Sequence, residues 1–201
     1  MFLCFGNLSW YAPWSVAGKI HAMELITSRL ILRDFQESDF PALLAIESLP
    51  ETHYFEGPIP TEAETRAKWE KNLQRAKENP RTHFHLAICL QTGEIIGRLG
   101  IGLQNRAIRE WEVGWGILPQ EWGKGYATEA ARRLLNYAFI ELNAHRVVAF
   151  CHVSNAASER VMCKLGMKQD GHLRETRWWK DDWVDELVYS ILERDWKQAN
   201  G

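Results

Sequence analysis

A chain of 201 residues with 46% hydrophobic side chains is long enough to bury one core of ordinary domain size, and ten tryptophans are its compositional oddity. The net charge of −2, with 25% charged residues, points neither to a nucleic-acid-binding surface nor to a basic membrane patch. Cys4, Cys89, Cys151 and Cys163 lie far apart with no C-x-x-C pair, which fits reduced thiols in the cytoplasm rather than a disulfide framework or a zinc site.

Residues 1–22 are apolar and aromatic, with Lys19 as their only Lys, Arg, Asp or Glu. Gly6, Asn7 and Pro13 interrupt the run, and the lysine is on the wrong side for a signal peptide. No stretch approaches the ~20 apolar residues of a membrane span. The segment therefore reads as an appendage, and Met23 as the start of a single domain over 23–198. Trp10, Tyr11 and Trp14 are suited to covering an apolar surface or a neighbouring subunit, so a homodimer is one available assembly.

From Glu24 to Arg33 the text ELITSRLILR has strand character. Ser38-Asp39 can cap a first helix through Glu47, and Thr61 with Glu64 forms a capping box for a second through Lys77. Between these helices lie His53, Tyr54 and Phe55. Thr82–Leu90 and Glu94–Leu103 alternate in polarity around Gln91-Thr92-Gly93, a hairpin pattern. His83 and His85 would share a strand face, but no acidic or Cys partner stands at ligand spacing, so no metal is expected.

Glu110–Thr128 (EWEVGWGILPQEWGKGYAT) is the most informative stretch. Trp111, Val113, Trp115 and Ile117 alternate with Glu110, Glu112, Gly114 and Gly116, giving a strand whose second face is bare beyond its two glutamates. Pro119 ends the strand, Gln120–Gly125 form a short loop, and a helix follows from about Tyr126 to Leu142. Ala130, Leu134, Tyr137 and Ala138 occupy one side of it, and Glu129 stands where it can pair with Arg133. Strand, glycine loop and helix N-terminus in succession aim unpaired N–H groups and a positive dipole end at one point, which suits phosphate. The P-loop pattern fails, because Leu118 stands where its first glycine belongs and Gly125 follows Lys124; the dinucleotide fingerprint fails at Pro119.

Arg146–Val153 reads as a buried strand parallel to the central one, since a whole helix separates them. Asn155 can then cap a helix whose Met162 and Leu165 face the core and whose Gly166 ends it. Asp170–Trp179 and Trp183–Leu192 close the chain as a hairpin around Lys180-Asp181-Asp182.

Gln120-x-x-Gly123-x-Gly125-Tyr126-Ala127 after a strand resembles the pyrophosphate loop of the GNAT superfamily of acyl-CoA-dependent N-acetyltransferases. Thr27-Ser28-Arg29-Leu30-Ile31-Leu32-Arg33 is similar to the T-x-R-L-x-L-R opening of its RimJ/RimL branch, and Asn155-x-x-Ser158 with Lys164-Leu165-Gly166-Met167 to its coenzyme-facing segment. The resemblance spans 24–196. It implies an α/β fold: a mixed, twisted seven-stranded sheet, antiparallel at the start, splayed between strands four and five, with about four helices. It further implies transfer of an acetyl group from acetyl-CoA, as cosubstrate, to a protein N-terminal amine or a small-molecule amine. Ile117, Gln120, Trp122, Gly123, Lys124, Gly125, Tyr126, Ala127, Asn155, Ser158 and Lys164 are the expected coenzyme contacts, with Arg160 and Lys164 available to a 3′-phosphate. Glu112 is the expected base, Ser158 the donor to the departing sulfur, and Tyr126 a weaker alternative. For Glu112 the competing expectation is a salt bridge, with Arg98 as the natural partner. Arg177 occupies the position that best matches a carboxylate credited to some relatives. The contrasting function class, acyl-CoA binding without turnover, would need neither Glu112 nor Ser158.

Overall fold

The computed structural model describes residues 23–200, so Trp10, Tyr11, Trp14 and the rest of the first 22 residues lie outside it. Eight strands form one sheet in the order β1-β2-β3-β4-β5-β6-β8-β7. The opening is two strands rather than one: β1 (Glu24–Ile26) turns at Thr27–Arg29 and pairs antiparallel with β2 (Leu30–Asp34). That turn raises the expected seven strands to eight. Because β2, β3 (His83–Leu90), β4 (Ile95–Asn105) and β5 (Glu110–Ile117) continue antiparallel, the splay falls between the fifth and sixth strands.

α1 (Phe40–Glu47) begins after a 3₁₀ turn at Glu37–Asp39, and Asp39 grips Arg33 at 2.6 Å instead of capping the helix. α2 (Glu62–Arg75) starts at the expected box: the Glu64 N–H donates to Thr61 Oγ1 at 3.3 Å, and the Thr61 N–H to Glu64 Oε2 at 2.8 Å. Both helices cover the β3–β4 end of one sheet face, where Phe35, Phe40 and Trp69 meet edge to face. α3 (Tyr126–Ile140) covers the other face. Its Ala130, Ala131, Leu134, Leu135 and Ala138 are wholly buried with Trp111 and Val113 of β5, the arrangement that the alternation of β5 requires.

β6 (Arg146–His152) runs parallel to β5. α4 (Ala156–Lys164) follows, then β7 (Lys168–Trp179) and β8 (Asp182–Leu192). At the tip of that hairpin Lys180 and Asp181 have φ of 51° and 59°, the left-handed pair that matches strand twist in a two-residue turn. A fifth helix, α5 (Glu193–Asn200), was not expected; it buries Trp196, whose ring stacks on Phe139 of α3. No helix among the described residues is long and apolar enough to cross a membrane.

Candidate active site

The register between β5 and β6 ends early. Glu110, Trp111 and Glu112 pair with Arg146, Val147 and Val148, and from Val113 to Ile117 the two strands separate. The Leu118 N–H turns toward β4, where it bonds the Ile96 carbonyl at 2.9 Å, so the N–H and C=O of Ile117 face the gap. Such backbone groups require partners. Trp122 supplies one, its indole N–H donating to the Ile117 carbonyl at 2.7 Å.

A cavity of about 590 Å³ opens at this splay. Ile117, Trp122, Gly123, Gly125, Tyr126, Ala127, Asn155, Ser158 and Lys164 line it, together with Trp115, Thr128, Arg160 and residues of the segment 51–56. Gly123 and Gly125 have φ of 77° and 84°, so the loop takes the left-handed conformation its glycines permit. A side chain at Gly123 would enter open space. The Ser158 N–H donates to Asn155 Oδ1 at 3.1 Å; this cap uses the amide oxygen and leaves Nδ2 for another acceptor.

Three expected residues stand elsewhere. Gln120 is exposed on the 3₁₀ turn Pro119–Glu121 and does not line the cavity. Lys124 is exposed and outside the lining, with its ammonium in an ion pair with the lining residue Glu121 at 2.9 Å. Glu112 lies on β5 two residues before Gly114, outside the lining. No hydrogen bond or ion pair engages its carboxylate among the described residues, and burial, then the charge of Glu186, pushes its pKa above the usual carboxylate range. Arg98 is occupied otherwise: it reaches Glu47 at 2.5 Å and Glu56 at 2.8 Å. The salt bridge expected as the competing role of Glu112 is therefore not made. Gly114 has nothing within 4 Å of where a Cβ would stand, whereas at Gly116 a Cβ would meet the Arg98 side chain at 3.5 Å.

A further wall of the cavity comes from the segment between α1 and α2. Tyr54 and Phe55 line the cavity, and the Phe55 ring lies 5.1 Å from that of His152. Arg177 donates to the carbonyls of Phe55 and Glu56, Trp179 Nε1 to the carbonyl of Tyr54 at 3.3 Å, and Lys180 sits 3.7 Å over the Tyr54 ring. Thus the β7–β8 tip holds the wall in place. Glu56 lies 42 residues from Arg98, and the carbonyls held by Arg177 lie 121–122 residues from it, so no local pattern announces these contacts. The expected Glu129–Arg133 pair is likewise replaced: Glu129 binds Arg29 at 2.6 Å, and Arg133 donates to the Ile26 carbonyl at 3.3 Å.

Residues 29–168 match the family model described as an acetyltransferase (GNAT) domain. The chain is 33% identical over 175 residues to the uncharacterized N-acetyltransferase YnaD of Bacillus subtilis, covering 87% of this chain and 99% of that protein. Its structure superposes with a TM-score of 0.75 on a GNAT-family acetyltransferase from Bacillus anthracis, at 29% identity and over 86% and 99% of the two chains. The spermidine N-acetyltransferase of Vibrio cholerae, solved with CoA and spermine, shares the fold at a TM-score of 0.75 and 21% identity, over 85% and 99% of the chains.

Proposed function

This chain belongs to the acetyltransferase (GNAT) family, and on that premise we propose that it transfers the acetyl group of acetyl-CoA to a primary amine by direct attack in a ternary complex. The observation that carries the proposal is the splay. A cavity between separated strands, with the Ile117 backbone turned toward it on one side and a left-handed glycine loop at one end, suits a linear, amide-bearing coenzyme ending in a pyrophosphate. The coenzyme supplies the activated acetyl group. Gly123, Gly125, Tyr126 and Ala127 then offer N–H groups to the pyrophosphate, Ile117 its backbone and Asn155 its Nδ2 to the pantetheine arm, and Arg160 and Lys164 their charge to the 3′-phosphate. Trp122, Gln120 and Lys124 shape or flank the loop.

In the transfer, the amine nitrogen bonds to the thioester carbon, the carbon–sulfur bond breaks, and one amine proton leaves. Glu112 is the proposed base, through a water, because it is unpaired and stands beside the open face at Gly114. A raised pKa brings it nearer the pH at which a base works well. Ser158 Oγ is the proposed hydrogen-bond donor to the departing sulfur, with the Tyr126 hydroxyl as the weaker alternative. Direct transfer is supported by Cys151, whose thiol burial pushes up to about 11, far from a ready nucleophile.

The acceptor is a protein N-terminal amine, as the RimJ/RimL resemblance suggests, or a small-molecule amine, and residues 23–198 are proposed as the whole catalytic unit. Calorimetry with acetyl-CoA and free-thiol release across a panel of peptides and amines test this reading. Affinity no better than millimolar, or binding without thiol release on any acceptor, would refute it.

A further inference from the structure

The turn between β1 and β2 reaches the glycine loop. Arg29 Nη1 donates to the Lys124 carbonyl at 3.0 Å, Arg29 Nε to Glu129 Oε2 at 2.6 Å, and the guanidinium lies 4.6 Å from the centre of the Tyr126 ring. The other oxygen of Glu129 accepts from Thr27 Oγ1 at 2.7 Å and from the Arg29 N–H at 3.1 Å. Burial alone would raise the Glu129 pKa; the bonds from Thr27 and Arg29 outweigh it and hold the carboxyl below its ordinary range. The turn, the loop and the first turn of α3 are thus joined through one ion pair. In a trans peptide the C=O and the following N–H point in opposite directions. A donor fixed on the Lys124 carbonyl therefore fixes the Gly125 N–H on the far side. Gly125 lines the cavity and Arg29 does not, so the loop peptide stands between the guanidinium and the cavity.

We infer that Arg29, 95 residues from Lys124 in sequence, is a positioning residue that aims the N–H groups of the glycine loop at the coenzyme pyrophosphate. The inference rests on reading that loop as the pyrophosphate site. Its planar fork serves two acceptors at once, the loop carbonyl and the Glu129 carboxylate, which a lysine ammonium on one flexible stem cannot reproduce.

The test compares acetyl-CoA with S-acetylpantetheine, which carries the same thioester and arm but no pyrophosphate. Arg29→Ala should raise KM for acetyl-CoA about tenfold, the loss of about one charge-assisted hydrogen bond, with kcat changed far less. KM for S-acetylpantetheine should not move. Arg29→Lys should fall between wild type and alanine with acetyl-CoA, and it serves as the test if the alanine variant does not fold. An equal rise with both substrates would reduce Arg29 to general support, and no rise with either would remove it from the site. Wild-type protein that turns over neither substrate would overturn the reading of the site itself, before any variant is compared.

Discussion

Gly123 isolates the electrostatics of the loop. Its φ is 77° and a Cβ there would meet nothing within 4 Å, so substitution costs backbone strain but no clash. For an L-residue that strain is about 1–2 kcal/mol, nearer the lower value for Asn or Asp, whose short side chains tolerate this conformation. In a domain of this size the cost appears as a fall in Tm of about 2–4 °C for each kcal/mol. Gly123→Asn and Gly123→Asp should therefore unfold at similar temperatures. They should not bind acetyl-CoA alike. Both add a side chain at a loop position that lines the cavity, but only aspartate adds a charge. A carboxylate about 4 Å from one phosphate charge is repelled by about 1 kcal/mol in water-like surroundings and by about 4 kcal/mol at an effective dielectric near 20. The Asp variant should then bind about fivefold to about a thousandfold more weakly than the Asn variant. Calorimetry at low and high salt reads the difference, and the gap should narrow as salt screens it. Equal affinities for the two variants would show that no phosphate approaches Gly123.

Glu112→Gln should lower kcat by about 10²–10⁴-fold with acetyl-CoA affinity nearly unchanged, and raising the pH should restore part of the rate. Because burial and Glu186 raise the Glu112 pKa, the acid limb of the wild-type rate profile should lie above the ordinary carboxylate range, and Glu186→Gln should move it to lower pH. The same shift means that the folded state holds this proton more tightly than the unfolded one. Its contribution to stability thus falls as pH rises through that interval, and Glu112→Gln should abolish the fall in thermal scans. Gly114→Leu fills open space beside Glu112, so it should keep the fold and the affinity for acetyl-CoA while raising the acceptor KM; unchanged kinetics would place the acceptor elsewhere. A chain beginning at Met23 should fold and bind acetyl-CoA like the full one, because the Met23 nitrogen, which donates to Asp34 Oδ2 at 2.8 Å, would do so as an ammonium. Aggregation of that chain would show that residues 1–22 cover an apolar surface.

Features governed by neighbours in sequence were legible before the structure was seen. The Thr61–Glu64 box, the β3–β4 and β7–β8 hairpins, the left-handed glycines and the alternation of β5 depend on residues a few positions apart. The splay was legible only through the family resemblance, since nothing in β5 or β6 alone states where pairing ends. Charged side chains escaped prediction. Glu129 could have paired with Arg133 one helical turn away, yet it pairs with Arg29 at a separation of 100 residues, because the β1–β2 turn presents a hydroxyl, an N–H and a guanidinium together. Arg98 takes Glu47 and Glu56 rather than Glu112 because the bare surface of Gly116 lets its side chain lie across β5 toward α1. The extra strand followed from the same turn, which reads as continuous strand when only polarity is considered.

The gap beside Ile117 bears on how this protein can change over time. A carbonyl is supplied by every residue type, so exchange of Ile117 for another apolar residue would leave the acceptor at the splay intact. Trp122 differs, since among the described residues its indole N–H is the side-chain donor that reaches that oxygen. Drift at position 117 should therefore leave no mark on coenzyme use, while drift at position 122 should alter what the coenzyme displaces on entry. Two residues at one contact thus answer to different selection, one for the volume it fills behind the strand and the other for the hydrogen it carries.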